Sequence, residues 1–483
     1  MSKTQILYKD VAPGADENAG VSSPGAAAFS DIVALPFGLI DPKPVATLEQ
    51  DNWALDGAFV LREHQPVAFW SAAISGADGA FGSSPSITIT FSEQFSSVGI
   101  TLLFDTATGD YCSAVNIKWY QQDTLKAEQD FSPDAVSYFC SRAVTAYDKI
   151  VITLKRTAKP YRYAKLEKIL FGIYRYFGMT ELRRASIVNE MNLIALELPV
   201  STARWTVDSR DNLDFMFQLK QPVEVQNDSG LIGVYYIDKH ARLAQNVYDI
   251  ECYDAIGVLS ESKFAGGVYS GKSAKVLLQE IVGSDFELNI EAADINLTGA
   301  ILPCTRREAM QQVLFAWGAC AATDGRENIR VFALPATATQ ISADRTFPGV
   351  ASEVAAIVTK VSVTAHTYTQ DSSGTVEING TKYRDTTAGY TVVNPDVTAN
   401  DKENAVEVTG ATLVSPAIGQ ATAQRVYDYY ARRSTNRARV VWAGERLGDR
   451  VGLPSTWGDG SDGNLAKMEI TLSNTVIAAV ETR

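Results

Sequence analysis

The sequence is poor in the residues that most often carry chemistry. Its three histidines, His64, His240 and His366, stand far apart and form no His-x-x-x-His pair, so no metalloprotease-type helix is legible. The five cysteines, Cys112, Cys140, Cys252, Cys304 and Cys320, are odd in number and include no C-x-x-C. That argues against a disulfide framework and a thiolate zinc site and leaves them as small buried hydrophobes, with a Cys112–Cys140 bridge as the less favoured alternative. No G-x-S-x-G elbow is present. Long apolar runs are missing too: residues 313–322 make the nearest approach at about ten, against the roughly 18 that a membrane-spanning helix needs. Positive charge is in deficit, with 43 Lys and Arg against 56 Asp and Glu for a net charge of −13, which argues against a nucleic-acid partner. Residues 1–20 are polar and carry Asp10, Asp16 and Glu17. They lack the basic-then-apolar order of a signal peptide, so synthesis and assembly in cytoplasm are expected.

What is there is a soluble-type composition, 46% hydrophobic and 20% charged, over 483 residues. That length exceeds what one hydrophobic core sustains, and several domains follow. Residues 1–30, rich in Ala, Gly, Ser and Pro, read as a flexible arm. In 31–176 the signal has period two: Ile87, Ile89 and Phe91, then Val115, Ile117 and Trp119, then Ile150, Ile152 and Leu154 alternate with polar residues. Half-buried antiparallel strands of a β-sandwich or jelly roll result. In 177–260, strands at 222–225 and 232–237 flank the turn Asn227-Asp228-Ser229-Gly230, and Tyr248, Ile250 and Cys252 mark another. The period changes in 261–345. Ala274, Leu277, Leu278 and Ile281 give a helix over 271–282. A second opens at the capping box Thr305/Glu308 and carries Met310, Val313, Leu314 and Trp317. The turn Asp324-Gly325 then leads to a strand at 329–334. In 346–483 a strand at 356–363 precedes a polar stretch, 369–408. A helix follows at 418–433, ending on Arg432 and Arg433 where cations suit the helix dipole, and strands close the chain at 438–442, 468–472 and 475–480. The fold class is mainly β, multi-domain, with helices concentrated in the second half.

One segment matches a catalytic pattern. Gly266-Gly267-Val268-Tyr269-Ser270-Gly271-Lys272-Ser273 fits G-x-x-x-x-G-K-[ST] letter for letter. The context does not fit: the apolar run 256–259 ends well before Gly266, and Asp324, the nearest acidic residue available for Mg²⁺, follows a helix rather than a strand. The segment reads as a glycine turn with Ser270 or Ser273 at a helix N-terminus and Lys272 exposed in the first helical turn. Asp285, Glu287, Glu291 and Asp294 contain the carboxylates that glycoside cleavage would need, but spacing in sequence shows no pair facing across a cleft and they are assigned to solvated strand edges. The run Asp459-Gly460-Ser461-Asp462-Gly463-Asn464 lacks the distal glutamate of a calcium loop and reads as a polar hairpin turn. Trp70, Trp119, Tyr120, Tyr161 and Tyr163 could include a stacking platform for sugars, although Trp119 shares the parity of Val115 and Ile117 and is assigned to the core. No catalytic, cofactor-binding or metal-binding residue is expected, and no cofactor.

Three runs, "KQPVEVQNDSGLIGVYYID", "YDIECYDAIGVLSESKFAGGVYSGKSAKVLLQEI" and "CTRREAMQQVLFAWGA", resemble the hub domain of phage and prophage tail-tip or baseplate proteins. The later "LVSPAIGQATAQRVYDYYARR", "GERLGDRVGLPS" and "MEITLS" look like its second half. The resemblance implies a first hub barrel at 177–260, a helical insert at 261–345 and a second barrel at 346–483. It also implies a homotrimeric, non-enzymatic ring of the virion tail tip, touching a tail tube or distal tail protein, a tape measure protein, and tail fibre or receptor-binding proteins. Residues 31–176 resemble, more loosely, a discoidin-like or carbohydrate-module-like sandwich. This implies an alternative, a host-glycan-binding adhesin, and Lys272 sustains a third reading as a nucleotide hydrolase.

Overall fold

The computed structural model describes residues 4–12, 14–38, 43–50, 52–58, 62–65, 67–209, 213, 217–228, 230–323, 328–398, 402–454, 460–473 and 475–483. Ser229, Asp324, Gly325, Asp459 and the side chain of His64 lie outside the described residues. The chain divides into two compact units, 8–175 and 1–7 with 176–483.

In the unit 8–175 one sheet runs in the order Phe69–Ile74, Tyr163–Leu170, Ser86–Phe104, Ser137–Thr157, Cys112–Gln121 and Thr124–Phe131, with Gly20–Ser22 added against Ser86–Phe104. The strand Ser86–Phe104 buries odd positions early (Ile87, Ile89, Phe91) and even positions late (Ile100, Leu102, Phe104), all in the same core cluster. Side chains alternate strictly along a strand, so this change of parity requires register breaks. They occur between Thr90 and Gly99 against Ser137–Thr157. Glycine is required at the last of them: a Cβ on Gly99 would lie 2.4 Å from Cys140 O. Trp119 is fully buried among these residues, as its parity predicts.

The expected flexible arm, 1–30, holds regular structure among its described residues. Gln5–Val11 is a strand whose Ile6, Leu7 and Tyr8 are buried, and the chain passes between the units within this strand and again within Gly172–Gly178. Its lone apolar patch gave no period to read, because its partner, Pro222–Asn227, is remote in sequence.

In the unit containing 176–483 the main sheet continues from Pro222–Asn227 through Gly230–Ala244, Val247–Tyr253, Thr202–Asp208, Leu182–Glu190, Ser461–Thr471, Ile477–Thr482 and Ser434–Val441 to Ala351–Val354. Its central joint is Leu182–Glu190 against Ser461–Thr471, with Ile187 opposite Ile470. The boundaries expected at 260 and 345 therefore fall inside one hydrogen-bonded, compact unit.

Three helices share a single core beside this sheet. Ala274–Val282 buries Leu277, Leu278 and Ile281; Arg306–Trp317 buries Met310, Val313 and Leu314; Pro416–Ala431 buries Ala423 and Val426. Thr305 and Glu308 form the reciprocal capping box that the sequence announces. The last helix ends at Ala431 rather than at 433, and Arg433 Nε instead donates to Ala355 O at 2.7 Å. The polar stretch 369–408 holds strands: Val376–Ile378, Thr381–Val393 and Ala405–Val408 join Lys360–Gln370 in a second sheet. Their inner face meets the helix, where Tyr390 OH donates to Pro416 O at 3.0 Å. Its modest half-burial explains why the sequence there shows little apolar alternation.

Candidate functional site

The phosphate-loop-like segment folds as a strand, Gly267–Ser273, antiparallel to Asn296–Ile301 with Lys272 opposite Leu297. The expected helix over 271–282 begins only at Ala274, because the ladder runs on to Ser273. Lys272 is thus a strand residue, and its Nζ lies 2.7 Å from Glu280 Oε1. The run before the motif is a helical turn, Ala255–Val258, continued by a 3₁₀ turn, Leu259–Glu261, where a phosphate loop has a parallel strand.

The helix N-terminus is also already occupied. Ser273 Oγ accepts from Val276 N at 3.3 Å and donates to Asp294 Oδ2 at 2.7 Å, and Lys275 N donates to Asp294 Oδ1 at 3.1 Å. The Ser273 hydroxyl, with the backbone donors beside it, holds the Asp294 carboxyl below its ordinary pKa. A carboxylate satisfies the positive end of this helix, and its charge repels a phosphate at the same place. Ser273, not Ser270, is the cap.

The remaining candidates separate. Asp285 accepts from Arg306 Nη1 at 2.5 Å, Glu291 accepts from Asn289 Nδ2 at 3.4 Å and Asp294 is the cap just described, so each engages a different partner. Ser461 to Asn464, expected as part of a hairpin turn, begin the strand Ser461–Thr471, and Asp462 accepts from Arg450 Nε at 2.7 Å. All five cysteines are free thiols, including Cys112 and Cys140. Burial pushes the thiols of both far above their ordinary pKa, which leaves them unreactive. His240 is exposed on Gly230–Ala244. His366 is buried, with Nδ1 2.8 Å from Asp385 Oδ2 and Nε2 2.9 Å from Thr409 O, a fully occupied structural position. Among the described residues no group of three or more His, Cys, Asp or Glu is arranged to hold a metal ion.

The aromatic set of the 8–175 unit does not form one platform. Trp70 and Trp119 are buried, while Tyr161 is 46% exposed. Trp70 instead packs edge-on with Phe29 and Tyr163, with ring centroids at 5.7 and 6.3 Å.

Beside Trp70 is a cluster that the sequence did not announce. Lys165 Nζ, with its side chain 1% exposed, lies 2.9 Å from Glu49 Oε1, 3.3 Å from Asp105 Oδ2 and 3.4 Å from Asp110 Oδ2, and 4.9 Å above the Trp70 ring. Thr47 Oγ1 donates to Glu49 Oε2 and Tyr163 N to Glu49 Oε1, both at 3.0 Å. Thr108 Oγ1 donates to Asp105 Oδ2 at 2.5 Å, and Lys159 Nζ lies 2.8 Å from Asp110 Oδ1. Desolvation opposes ionisation of Asp110, but the Lys159 hydrogen bond and the Lys165 charge outweigh it and hold the carboxyl below its ordinary value. Such a set of satisfied, mutually compensating charges ties Glu49 and the loop 105–110 to the strand Tyr163–Leu170.

No protein-family model and no curated protein matches the chain. Among solved structures, the chain is similar to a 43 kDa tail protein of prophage MuSo2 from Shewanella oneidensis, at 9% identity over 64% of this chain and 95% of that one, with a TM-score of 0.46. A tail protein from Neisseria meningitidis matches at 13% identity over 64% and 94%, with a TM-score of 0.48. The prophage tail protein gp18 of Listeria monocytogenes matches at 12% over 63% and 91%, with a TM-score of 0.42.

Proposed function

We propose that the protein is a non-enzymatic structural component of a phage-type tail, a hub that assembles as a homotrimer and joins the tail tube to the tip or baseplate. The ordered hub-like phrases between 220 and 472 carry the reading. Their placement supports it: "QPVEVQ", "VYYID", "YDIECY" and "MEITL" are strands of the one main sheet, and "RREAMQQVLFAW" and "PAIGQATAQRVYDYYA" are helices of the one core beside it. Such an object offers surfaces to neighbours, and closed cyclic symmetry is the usual solution for identical subunits. In this reading its partners are a tail tube or distal tail protein, a tape measure protein and fibre proteins, and its location is the virion.

Light scattering of the purified chain is expected to give three times its 52.3 kDa mass, and the same chain should be found in isolated tail particles. A strictly monomeric species absent from particles refutes the reading. The second reading, a glycan-binding module at 31–176, now rests on Tyr161 and on Trp53, also 46% exposed, rather than on Trp70 or Trp119. Glycan-array binding abolished by Trp53→Ala would support it.

A further inference from the structure

A pocket of about 280 Å³ opens beside the helix Pro416–Ala431, and three arginines, Arg425, Arg432 and Arg483, line it. The one acidic side chain in its wall, Asp428, is exposed and accepts from Gln424 Nε2 at 2.8 Å. Cationic side chains thus outnumber the anionic one in its lining, in a chain that is acidic overall.

The three cations are unequally satisfied. Arg483 Nη1 donates to Tyr429 OH at 3.1 Å and its Nε to Arg432 O at 3.2 Å, with the guanidinium 4.1 Å over the Tyr429 ring. Arg432 makes no side-chain hydrogen bond or ion pair among the described residues. Arg425 is the deepest. Its Nη2 donates to Phe315 O, its Nε is buried with no hydrogen-bond partner among the described residues, and no carboxylate pairs with it. Desolvation pulls its pKa below the ordinary arginine value. A sequestered guanidinium without a counter-ion is costly to keep, and a planar fork of donors is the group best matched to a carboxylate or phosphate. Leu193, Ile194 and Leu334 add an apolar wall to its lining.

We infer that this pocket is a recognition site for an acidic side chain presented by a peptide segment of another protein subunit. A hydrated phosphate ion gains nothing from the leucine and isoleucine wall, whereas a glutamate side chain offers both a methylene stem to that wall and a carboxylate to the three guanidiniums. The inference goes beyond the tail reading and does not depend on it.

The test uses the full-length chain and fluorescence anisotropy with a fluorescein-labelled peptide of alternating Glu and Leu, its Gln-for-Glu counterpart, and inorganic phosphate as competitor. Saturable binding of the Glu peptide is expected, weakened tenfold or more on Arg425→Gln, since a hydrogen bond to a charged group is lost. Binding should also weaken on Arg432→Gln, which alters an exposed residue and is expected to keep the wild-type melting temperature, so loss of binding there is not loss of fold. Equal binding of the Glu and Gln peptides overturns the proposal, as does unchanged affinity in both arginine variants. Phosphate bound through the arginines without any peptide binding overturns the peptide source.

Discussion

Replacing Lys165 by methionine keeps a long, flexible side chain beside Trp70 but removes the ammonium that Glu49, Asp105 and Asp110 share. The lysine and its two closest carboxylates are buried to within 1% of completely, at 2.9 and 3.3 Å, so water cannot replace the lost charge without opening the sheet. Removing one partner of a buried pair costs about 3–5 kcal/mol, and for a unit of this size each kcal/mol moves the melting temperature by roughly 2–4 °C. A fall of about 6–20 °C is therefore expected for Lys165→Met in scanning calorimetry, tracked by near-UV circular dichroism. Adding Glu49→Gln and Asp105→Asn to Lys165→Met should recover much of the loss, because the stranded charges go with their partner. A shift below about 2 °C for Lys165→Met, or a triple variant less stable than the single one, refutes the view that the cluster is a compensated charge set.

Three other outcomes follow from named contacts. Burial raises the carboxyl of Asp254 from 3.8 to about 6 against the pull of its bonds from the Gly257 and Ser201 amides; a folded-state pKa above the unfolded one means stability that is full below pH 4 and lost as pH rises through 6. Wild type should accordingly gain on Asp254→Asn as pH is lowered from about 7 to 4 in urea unfolding, and a difference independent of pH contradicts this. Asp294→Ala removes the anion at the start of Ala274–Val282 and should lower the urea midpoint, whereas Lys272→Ala breaks only a half-exposed pair worth up to about 1 kcal/mol; calorimetry with Mg-ATP should show no heat for wild type or Lys272→Ala. Gly99→Ala, with its new Cβ 2.4 Å from Cys140 O, should cost about 1–3 kcal/mol in chemical denaturation.

Local features were the legible ones. The capping box at Thr305 and the parities of Ile87 and Trp119 depend on neighbours within a few residues, and the structure has each of them, while of the two serines offered as a cap it takes Ser273 and not Ser270. Strand ends were less secure: Ser273 closes both a ladder and a helix N-terminus, so amphipathic spacing alone placed Gly271 and Lys272 on the wrong side of the junction. Long-range pairings left no trace. Nothing near Leu182 indicates Ser461–Thr471, nothing near Gln5 indicates Pro222–Asn227, and Glu49, Asp105, Asp110 and Lys165 meet only because two loops converge on one strand. A buried lysine reads in sequence as a surface lysine, since its partners supply the compensation.

The joint between Leu182–Glu190 and Ser461–Thr471 also sets a schedule for synthesis. The first strand leaves the ribosome hundreds of residues ahead of its partner, which at roughly 5–20 residues per second is a wait on the order of tens of seconds. Throughout that interval Ile187 and its neighbours form an unpaired edge, a template for any other strand. A nascent chain truncated before Ser461 is in the same position permanently, and aggregation rather than a stable half-molecule is its natural fate.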